Sequence, residues 1–396
     1  MRVPGPSDAH LTYCLNVHPG ATLAEAEAAI FERARRVFDE FSRLAGVSGP
    51  FGLGMWFSAE AARELSRADG LDQFARKLHD AGFYAFTLNG FPFGRFHGTR
   101  VKEKVYQPDW ADEARFDYTI SLIAILARLL PKGVHGTIST LPVTFKPWAD
   151  EAKLARAARN LAEVAARLDV VREAGGKEIA LALEPEPGCY LEKAEHVVRF
   201  FHDHLVPAAR KRLGRERKEC DEILRRHVGV CLDTVHAGVM GETPAKALGR
   251  LTSHDIRVLK VQLGAALRVE VGPEGPPPAL SAFRDEVYLH QVTVRAAGKR
   301  LFFADLPDAL DQPAPPRGEW RVHFHVPLAW PGEGAIATTS GEVNAAFFEA
   351  AVAAGVEHFE SEIYTLDVFP GRTASTETIL AQDLAWIWQH LRAAGS

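Results

Sequence analysis

Short apolar runs alternate along this sequence with longer stretches in which apolar residues recur at helical spacing. In the stretch Leu23–Leu44, for example, Ile30, Val37 and Phe41 fall on one face of a helix. The run Ile179–Leu183 is instead short and wholly apolar, as expected of a buried strand. Nine runs of the second kind predict strands at Leu11–Val17, Phe51–Phe57, Tyr84–Leu88, Thr137–Leu141, Ile179–Leu183, Val228–Leu232, Arg257–Leu263, Arg321–Val326 and Glu357–Tyr364.

The longer stretches predict the helices Leu23–Leu44, Ala59–Ala81, Arg115–Leu130, Ala149–Ala174, Leu191–Leu213, Glu219–His227, Pro244–Leu251, Val343–Ala354 and Glu377–Leu391. Alternation of strands and helices favours a parallel sheet whose strands are joined by helical crossovers. The chain has 396 residues, of which 47% are hydrophobic, and α/β barrels with insertions reach this length as one domain. We therefore predict a single (β/α)8 TIM-barrel domain over residues 1–396. Nine candidate strands for eight places mean that one is extra, and the sequence does not say which.

The alternation breaks after Leu263. Two segments rich in proline and glycine, Gly272–Pro278 and Gln312–Gly318, border a mixed apolar segment, Phe283–Leu310. We predict that residues 265–318 are an insertion near the late strands, built as a hairpin with a helix. We expect it to form a lid or a partner surface over one end of the barrel.

Composition excludes several classes of function. A net charge of −5 gives no general attraction to nucleic acid or to an anionic membrane. No run of about 18 apolar residues occurs, and the first ten residues do not resemble a secretory signal. The four cysteines form no CxxC pair, so we expect reduced thiols. These features predict a cytoplasmic protein with no nucleic-acid partner and no membrane insertion.

The late strands each have one apolar face and one small or polar face, because side chains alternate along a strand. In a barrel the second face points inward, and active sites lie where it reaches the C-terminal ends of the strands. The predicted inward residues are Ala180, Ala182 and Glu184; Gly229, Cys231 and Asp233; Lys260 and Gln262; His323 and His325; and His358, Glu360 and Glu362.

Acidic and imidazole side chains thus gather at the ends of four late strands. Unpaired carboxylates there would repel one another strongly at low dielectric constant, and a divalent cation is their natural partner. Carboxylate oxygens with one or two imidazoles suit Mn²⁺, Zn²⁺, Co²⁺ or Mg²⁺. Alone, Glu184 could be a rim ion pair and His325 a satisfied core histidine, but the combination predicts a divalent metal site.

Three runs, Leu183–Pro187, Leu232–His236 and His323–His325, resemble the metal strands of xylose-isomerase-like barrels. The resemblance implies the TIM-barrel fold, a substrate-contacting histidine at His236, and metal ligands at Glu184, Asp233, His325 and Glu362. Two choices stay open. The strand after Asp233 ends in Gln262 where a metal histidine is expected, so either Gln262 or His325 fills that place, and the last strand offers both Glu360 and Glu362.

Four longer runs, Tyr13–Gly20, Thr87–Gly94, Tyr288–Val292 and His323–Pro327, resemble the EboE-like barrel family of Ebo-type metabolite traffic proteins. That resemblance implies a context in which a metabolite precursor moves towards the periplasm. It further implies a small-molecule ligand and other proteins of the same pathway as partners.

Further polar residues near predicted strand ends are candidates for substrate binding. Asn16 and His18 end the first strand, where they either cap a turn or bond to substrate, and we add Asn89 and His323 to the substrate-binding set. After Asn89 comes a loop with three phenylalanines, which either pack together or wall an apolar pocket. Beyond it we expect the side chains of Lys102, Lys104 and Tyr106 to be solvated, with a role as phosphate ligands as the alternative.

Three functions compete on this evidence. The first is metal-dependent isomerisation or epimerisation of a sugar-like or polyol-like metabolite, in which Glu184 and Glu362 move protons and His236 orients a substrate oxygen. The second is a non-catalytic metabolite-binding or carrier protein that aids export of a precursor. The third is a nuclease, which the net charge of −5 disfavours.

Overall fold

The chain folds around a barrel of eight parallel strands. The computed structural model describes residues 1–5, 8–296 and 298–395. The predicted domain 1–396 also includes residues 6, 7, 297 and 396, which lie outside that description. In chain order the strands are β1 His10–Tyr13, β2 Phe51–Trp56, β3 Phe83–Asn89, β4 Gly136–Thr140, β5 Ile179–Leu183, β6 Val228–Asp233, β7 Val258–Leu263, β8 Ala265–Val271, β9 Val292–Ala296, β10 Lys299–Phe303, β11 Gly318–Val326, β12 Gly332–Glu333, β13 Ile336–Thr338 and β14 His358–Ser361.

The barrel strands follow the order β1-β14-β7-β6-β5-β4-β3-β2, and every pair is parallel. A parallel bridge between Cys14 and Gly54 links the two outer strands of this order. The structure therefore confirms the predicted TIM barrel. The predicted strand Leu11–Val17 is shorter than expected, because the chain turns into a 3-10 helix at Leu15–Val17.

Helices surround the barrel, and their ends follow local sequence signals. They are α1 Leu23–Ala28, α2 Ala34–Ala45, α3 Ala59–Leu65, α4 Gly70–Asp80, α5 Glu113–Leu129, α6 Glu151–Gly175, α7 Ala194–Phe200, α8 Val206–Leu213, α9 Arg217–His227, α10 Thr234–Val239, α11 Pro244–Thr252, α12 Leu306–Leu310, α13 Ala345–Ala353 and α14 Thr376–Ala394. Asp150 caps α6 by accepting the Lys153 N–H at 2.7 Å, and Gly176 ends it at φ 64°. The predicted helix Ala59–Ala81 is wrong as a single element, since Ala68 at φ 44° interrupts it.

A second sheet of six antiparallel strands stands beside the barrel, in the order β10-β9-β11-β8-β13-β12. It contains the run Arg321–Val326, which we had counted among nine candidates for eight barrel places. This run is the extra strand, because β11 pairs on one side with β8 and on the other with β9. Its apolar and polar residues alternate as in a barrel strand, so the pattern alone could not separate the two sheets.

The second sheet is larger than the predicted insertion 265–318. The predicted segment does contain a hairpin, β9–β10, and a helix, α12, which follows the hairpin and precedes β11. The sheet, however, extends beyond residue 318, through β11 and β13 to Thr338. Its inner residues, among them Val292, Val294 and Trp320, are fully buried and belong to the same hydrophobic core as the barrel. The sheet and the barrel thus share one core.

The barrel interior holds an ion pair between Lys260 and Glu360, both fully buried. Gly54 on β2 faces this pair, and a Cβ added there would lie 1.8 Å from Glu360 Oε1. The Glu360 carboxylate fits inside the barrel because Gly54 has no side chain. Among the described residues no helix is both long and apolar enough to span a bilayer.

Replacing Gly54 by alanine tests this packing. We expect Gly54→Ala to lower the free energy of unfolding by about 1–3 kcal/mol, because the new methyl group displaces a buried ion pair. Urea unfolding followed by circular dichroism measures the change. The matched control is Gly249→Ala in α11, where the described residues leave the Cβ position open and where alanine should stabilise by about 0.5–1 kcal/mol. Equal effects at both positions would contradict the packing argument.

Candidate functional site

Three carboxylates converge at the C-terminal end of the barrel. Glu184 directly follows β5, Asp233 ends β6, and Glu362 comes just after β14. All three residues are at most 3% exposed. The parallel register brings these strand ends together, since the C-terminal ends of all eight barrel strands meet at the same end of the barrel.

Each of two carboxylates has one oxygen that is fixed by hydrogen bonds. Asp233 Oδ1 accepts the first free backbone N–H groups of α10, at 2.7 and 3.0 Å, and so caps that helix. Glu362 Oε1 accepts the side-chain amides of Asn16 at 2.7 Å and Asn89 at 3.1 Å. These bonds orient the carboxylates and leave the second oxygen of each pointing elsewhere.

The second oxygens are buried without a partner. Glu184 Oε2, Asp233 Oδ2 and Glu362 Oε2 accept no hydrogen bond from the residues that the structure describes. Burial, and then repulsion from Asp233, raises the pKa of Glu184 well above the usual carboxyl value. Burial, followed by repulsion from Glu184 and Asp233, raises the pKa of Glu362 in the same way. Three such groups in one water-poor space are unfavourable as anions unless they are protonated or share a positive charge.

Two imidazoles at the site are held in one tautomer. His236 Nδ1 lies 3.0 Å from the carbonyl oxygen of Pro185, and His325 Nδ1 lies 2.8 Å from that of Glu362. A carbonyl oxygen only accepts, so each Nδ1 donates and each Nε2 keeps its lone pair. Burial lowers the pKa of His236 to about 3 and that of His325 to about 4. Both rings are therefore neutral at physiological pH, and each has an Nε2 lone pair that could bind a metal ion.

His323 has the same tautomer for a less direct reason. Its Nδ1 bonds to Gln291 Oε1, and the orientation of that amide is fixed because its Nε2 donates to the carbonyl of Pro187 at 3.0 Å. His323 Nε2 then faces His325 Nε2 at 2.9 Å, with a lone pair on each. Burial and the neighbouring histidines hold the pKa of His323 well below its usual value. A cation between or beside the two rings relieves this contact.

Groups of possible ligand atoms within 4.8 Å of one another can therefore hold a metal ion. They form three overlapping sets, each fully buried: His236, His323 and His325; Glu184, Asp233 and His236; and Asp233, His325 and Glu362. The orphaned oxygens and the facing lone pairs fit a divalent cation, which accepts both kinds of donor.

The two alternative ligands, Glu360 and Gln262, contact the barrel interior. Glu360 forms an ion pair with Lys260, although its Oε1 accepts no hydrogen bond from the described residues. Gln262 Oε1 accepts the Cys231 thiol at 3.0 Å, and its amide nitrogen lies 3.5 Å from Glu360. Glu360 belongs to none of the three sets of possible ligands, whereas His325 and Glu362 do, and the choice of those two as ligands stays a prediction.

The predicted substrate residues do not all reach the same place. Asn16 and Asn89 line the cavity above the carboxylates. His323 stands behind the cavity wall, against His325. His18 instead turns towards Tyr13, whose hydroxyl lies 3.1 Å from its Nε2, and burial lowers the pKa of His18 to about 4. The structure thus places Asn16 and Asn89 in the cavity lining, whereas His323 and His18 lie outside it.

A cavity opens above the carboxylates and has largely aromatic and aliphatic walls. Phe91 and Phe96 of the predicted aromatic loop line it, whereas Phe93 packs on Tyr118 with ring centroids 5.2 Å apart. The lining residues are Asn16, Asn89, Phe91, Pro92, Phe96, Val101, Lys102, Val105, Tyr106, Glu184, Glu186, His236, Tyr288, Leu289, Glu362 and Tyr364.

Sequence reasoning missed a buried polar chain beside the carboxylates. The Tyr106 hydroxyl donates to Glu186 Oε1 at 2.8 Å and accepts from Gln291 Nε2 at 2.9 Å. Burial raises the pKa of Glu186 to about 8. The expectation that Tyr106 is solvated is wrong, because its side chain is fully buried. Glu186 could have been found, since it lies two residues after Glu184 in the same motif. Gln291 lies just before β9, within the run Tyr288–Val292 quoted above, but no local pattern indicated its contact with Tyr106.

Lys102, also expected in solvent, is buried and joins the aromatic loop to the second sheet region. Its Nζ donates to the carbonyls of Asp285 and Tyr288, each at 2.7 Å, and forms an ion pair with Asp305. Lys104, by contrast, is exposed as expected. The lysine therefore fixes the cover of the cavity with all three of its donors.

Replacing Lys102 by methionine tests this cover. We expect Lys102→Met to destabilise the protein by about 3–5 kcal/mol, because it leaves a largely buried carboxylate unpaired. Limited proteolysis should then cut near residues 96–106 or 285–305 faster than in the parent protein. Lys104→Met, which changes an exposed lysine in the same segment, is the control and should leave both stability and cleavage unchanged. A Lys102→Met protein as stable as that control would refute the role of Lys102.

Comparisons with known proteins give structural similarities at low sequence identity. No protein-family model matches this sequence, and no curated protein gives a significant match. A xylose isomerase-like TIM barrel protein from Mycobacterium smegmatis in complex with magnesium is 14% identical, with a TM-score of 0.48, over 97% of this chain and 100% of that one. The IOLI protein with a binding zinc atom is 14% identical, with a TM-score of 0.47, over 97% and 98%. A D-tagatose 3-epimerase-like protein is 10% identical, with a TM-score of 0.47, over 97% and 98%. The fold of this chain rests on its own strand order, which is that of a TIM barrel.

Proposed function

We propose that this protein is a metal-dependent isomerase or epimerase that acts on a small sugar-like or polyol-like metabolite. One observation carries the proposal. Glu184, Asp233 and Glu362 each bury an oxygen that has no partner in the described chain, next to two imidazoles whose lone pairs face each other. A divalent ion satisfies both requirements at once, and it suits chemistry at adjacent oxygen atoms.

The residues that would hold the ion are Glu184, Asp233, His325 and Glu362. When bound, a divalent ion supplies a Lewis acid that polarises a substrate carbonyl. The hydrogen bonds from Asn16 and Asn89 keep the Glu362 carboxylate in place during the reaction. His236 lines the cavity with its Nε2 lone pair available, so it orients a substrate hydroxyl by accepting its proton in a hydrogen bond.

Proton transfer falls to the two glutamates. Glu184 follows β5 and Glu362 follows β14, and β6 and β7 lie between these two strands in the barrel. An ionised carboxylate would remove the proton from the carbon next to the substrate carbonyl. In epimerisation the other, protonated carboxyl would deliver a proton to the opposite face of that carbon. In isomerisation it would deliver a proton to the former carbonyl carbon, while the proton of the adjacent hydroxyl moves to the former carbonyl oxygen. A proton that passes from the first glutamate to the second through solvent would then restore both glutamates.

The second candidate is a carrier that binds the same metabolite without converting it. The runs that resemble Ebo-type metabolite traffic proteins support this reading, and Tyr288–Val292 among them contributes two residues to the cavity wall. The aromatic cover tied by Lys102 suits a protein that shields a ligand during export. Binding without turnover would distinguish this carrier from the isomerase.

Metal binding is the first test. We expect the protein, purified without a histidine tag, to bind about one Mn²⁺ or Zn²⁺ in a calorimetric titration. Asp233→Asn should lower the affinity by about tenfold or more, about 1.4 kcal/mol, because it removes a charged ligand while the amide oxygen can still cap α10. In chelator the same variant should melt at a higher temperature than the parent, since carboxylate repulsion falls.

The matched control for this test is Asp150→Asn, which changes an aspartate that caps α6 on the outside of the barrel. It should leave metal affinity unchanged. Unchanged metal stoichiometry and affinity in Asp233→Asn, together with a lower melting temperature in chelator, would refute Asp233 as a ligand.

Exchange of substrate hydrogens is the test of catalysis. We expect metal-loaded protein in D₂O to introduce deuterium next to the carbonyl of an accepted ketose, because a glutamate takes up that proton and exchanges it with solvent. Proton NMR over a panel of ketoses measures the exchange. Glu362→Gln should reduce the rate by at least about 100-fold, whereas Glu357→Gln, which affects a carboxylate bonded to His135, should not. Bound ketose without exchange would favour the carrier.

A further inference from the structure

We infer that the ligand of this cavity carries a bulky apolar substituent, cyclic or aromatic, beside its pair of adjacent oxygens. This inference rests on the proposed function, which places the oxygens at the metal-binding carboxylates, and it names the part of the ligand that those residues do not touch. It distinguishes a substituted hydroxyketone or diol from a free sugar, which has hydroxyls at every carbon.

The cavity is divided between a polar floor and an apolar wall. The residues of the floor are Glu184, Glu186, Glu362, His236, Asn16 and Asn89. The wall consists mainly of aromatic rings and aliphatic side chains, namely Phe91, Pro92, Phe96, Val101, Val105, Tyr288, Leu289 and Tyr364. A ligand that reaches the floor with its oxygens must therefore place its remainder against carbon.

Two polar side chains of the wall, Lys102 and Tyr106, already have partners within the protein. Lys102 Nζ donates to the carbonyls of Asp285 and Tyr288 and to the Asp305 carboxylate, so its three hydrogens are all engaged. The Tyr106 hydroxyl both donates to Glu186 and accepts from the amide of Gln291. A distal ligand hydroxyl near either group would have to break an existing bond or remain unpaired.

The hydroxyls of the two remaining phenols lie next to histidine nitrogens. Tyr288 Oη lies 2.9 Å from His97 Nδ1, and Tyr364 Oη lies 3.5 Å from His323 Nε2. Their rings, with Trp56 and Phe96, belong to one aromatic cluster at the cavity mouth. This cluster offers ring faces and edges to the ligand, and such surfaces bind apolar and aromatic groups.

Desolvation decides between the two ligand classes. A hydroxyl buried against this wall loses its hydrogen bonds to water without replacement, which weakens binding by about tenfold for each group. An apolar substituent in the same place gains from leaving water. The wall therefore selects against free sugars and in favour of apolar substitution.

Three hydroxyketones test the inference, because they share the –CO–CH₂OH unit and differ in the rest. They are 2-hydroxyacetophenone with a phenyl group, hydroxyacetone with a methyl group, and erythrulose with a hydroxylated chain. Calorimetry on Mn²⁺-loaded protein should give the tightest binding for 2-hydroxyacetophenone, by at least about tenfold over erythrulose. Erythrulose binding as tightly as or more tightly than the phenyl ketone would overturn the inference, as would failure of all three to bind.

Wall variants locate the effect. Phe96→Ala should remove most of the preference for the phenyl ketone and leave hydroxyacetone binding unchanged. Leu289→Ala, a milder change to the same wall, should reduce the preference less, and it serves if Phe96→Ala does not fold. Phe93→Ala is the control, because that ring packs on Tyr118 outside the cavity lining. A preference that survives both wall variants would overturn the inference.

The proposed function fails by a different result. Loss of Mn²⁺ binding in the titration refutes the metal site whatever the ketones do. Intact Mn²⁺ binding with a preference for erythrulose keeps the metal proposal and refutes only the apolar substituent.

Discussion

The rest of the site depends on one constraint, which is the burial of carboxylates that the protein itself does not neutralise. Glu184, Asp233 and Glu362 are buried at the C-terminal end of the barrel, and each has an oxygen for which the described chain supplies no donor. The barrel contains one buried lysine close to them, Lys260, and Glu360 already holds it. Like charges at this separation in a water-poor space are unfavourable unless they are protonated or share a cation. A divalent ion bound at this site, as proposed, would relieve the repulsion between the carboxylates.

The second sheet completes this arrangement. Its strand β11 carries His323 and His325 to the mouth of the barrel, and their hydrogen bonds to Gln291 and to the Glu362 carbonyl set the tautomers that leave both Nε2 atoms unprotonated. The segment just before β9 supplies Tyr288 and Leu289 to the cavity wall. Barrel and sheet share one core, so the geometry of the imidazoles relative to the carboxylates is fixed by packing and not by a mobile loop. The acids come from the barrel, whereas two of the imidazoles come from outside it.

Sequence periodicity predicted the barrel because parallel strands buried on both faces leave a strong signal, as in Ile179–Leu183. It also placed Glu184, Asp233 and Glu362 at one end, since that step needs only strand ends and alternation. The assignment of Arg321–Val326 could not be settled in this way, because this antiparallel strand is buried on both faces and has the same alternation of polar and apolar residues as a barrel strand. The burial of Lys102 depends on contacts about 200 residues away along the chain, with Asp305, and such pairings leave no local pattern.

The most direct measurement is anomalous diffraction from crystals of the tag-free protein grown with Mn²⁺ or Zn²⁺. The account predicts a single strong anomalous peak at the C-terminal end of the barrel, with Glu184, Asp233, His325 and Glu362 around it at about 2.0–2.2 Å. It further predicts that the Nε2 atoms of His323 and His325 no longer face each other with two free lone pairs. Carboxylates that remain separated, with no anomalous peak among them at millimolar metal, would contradict the central claim.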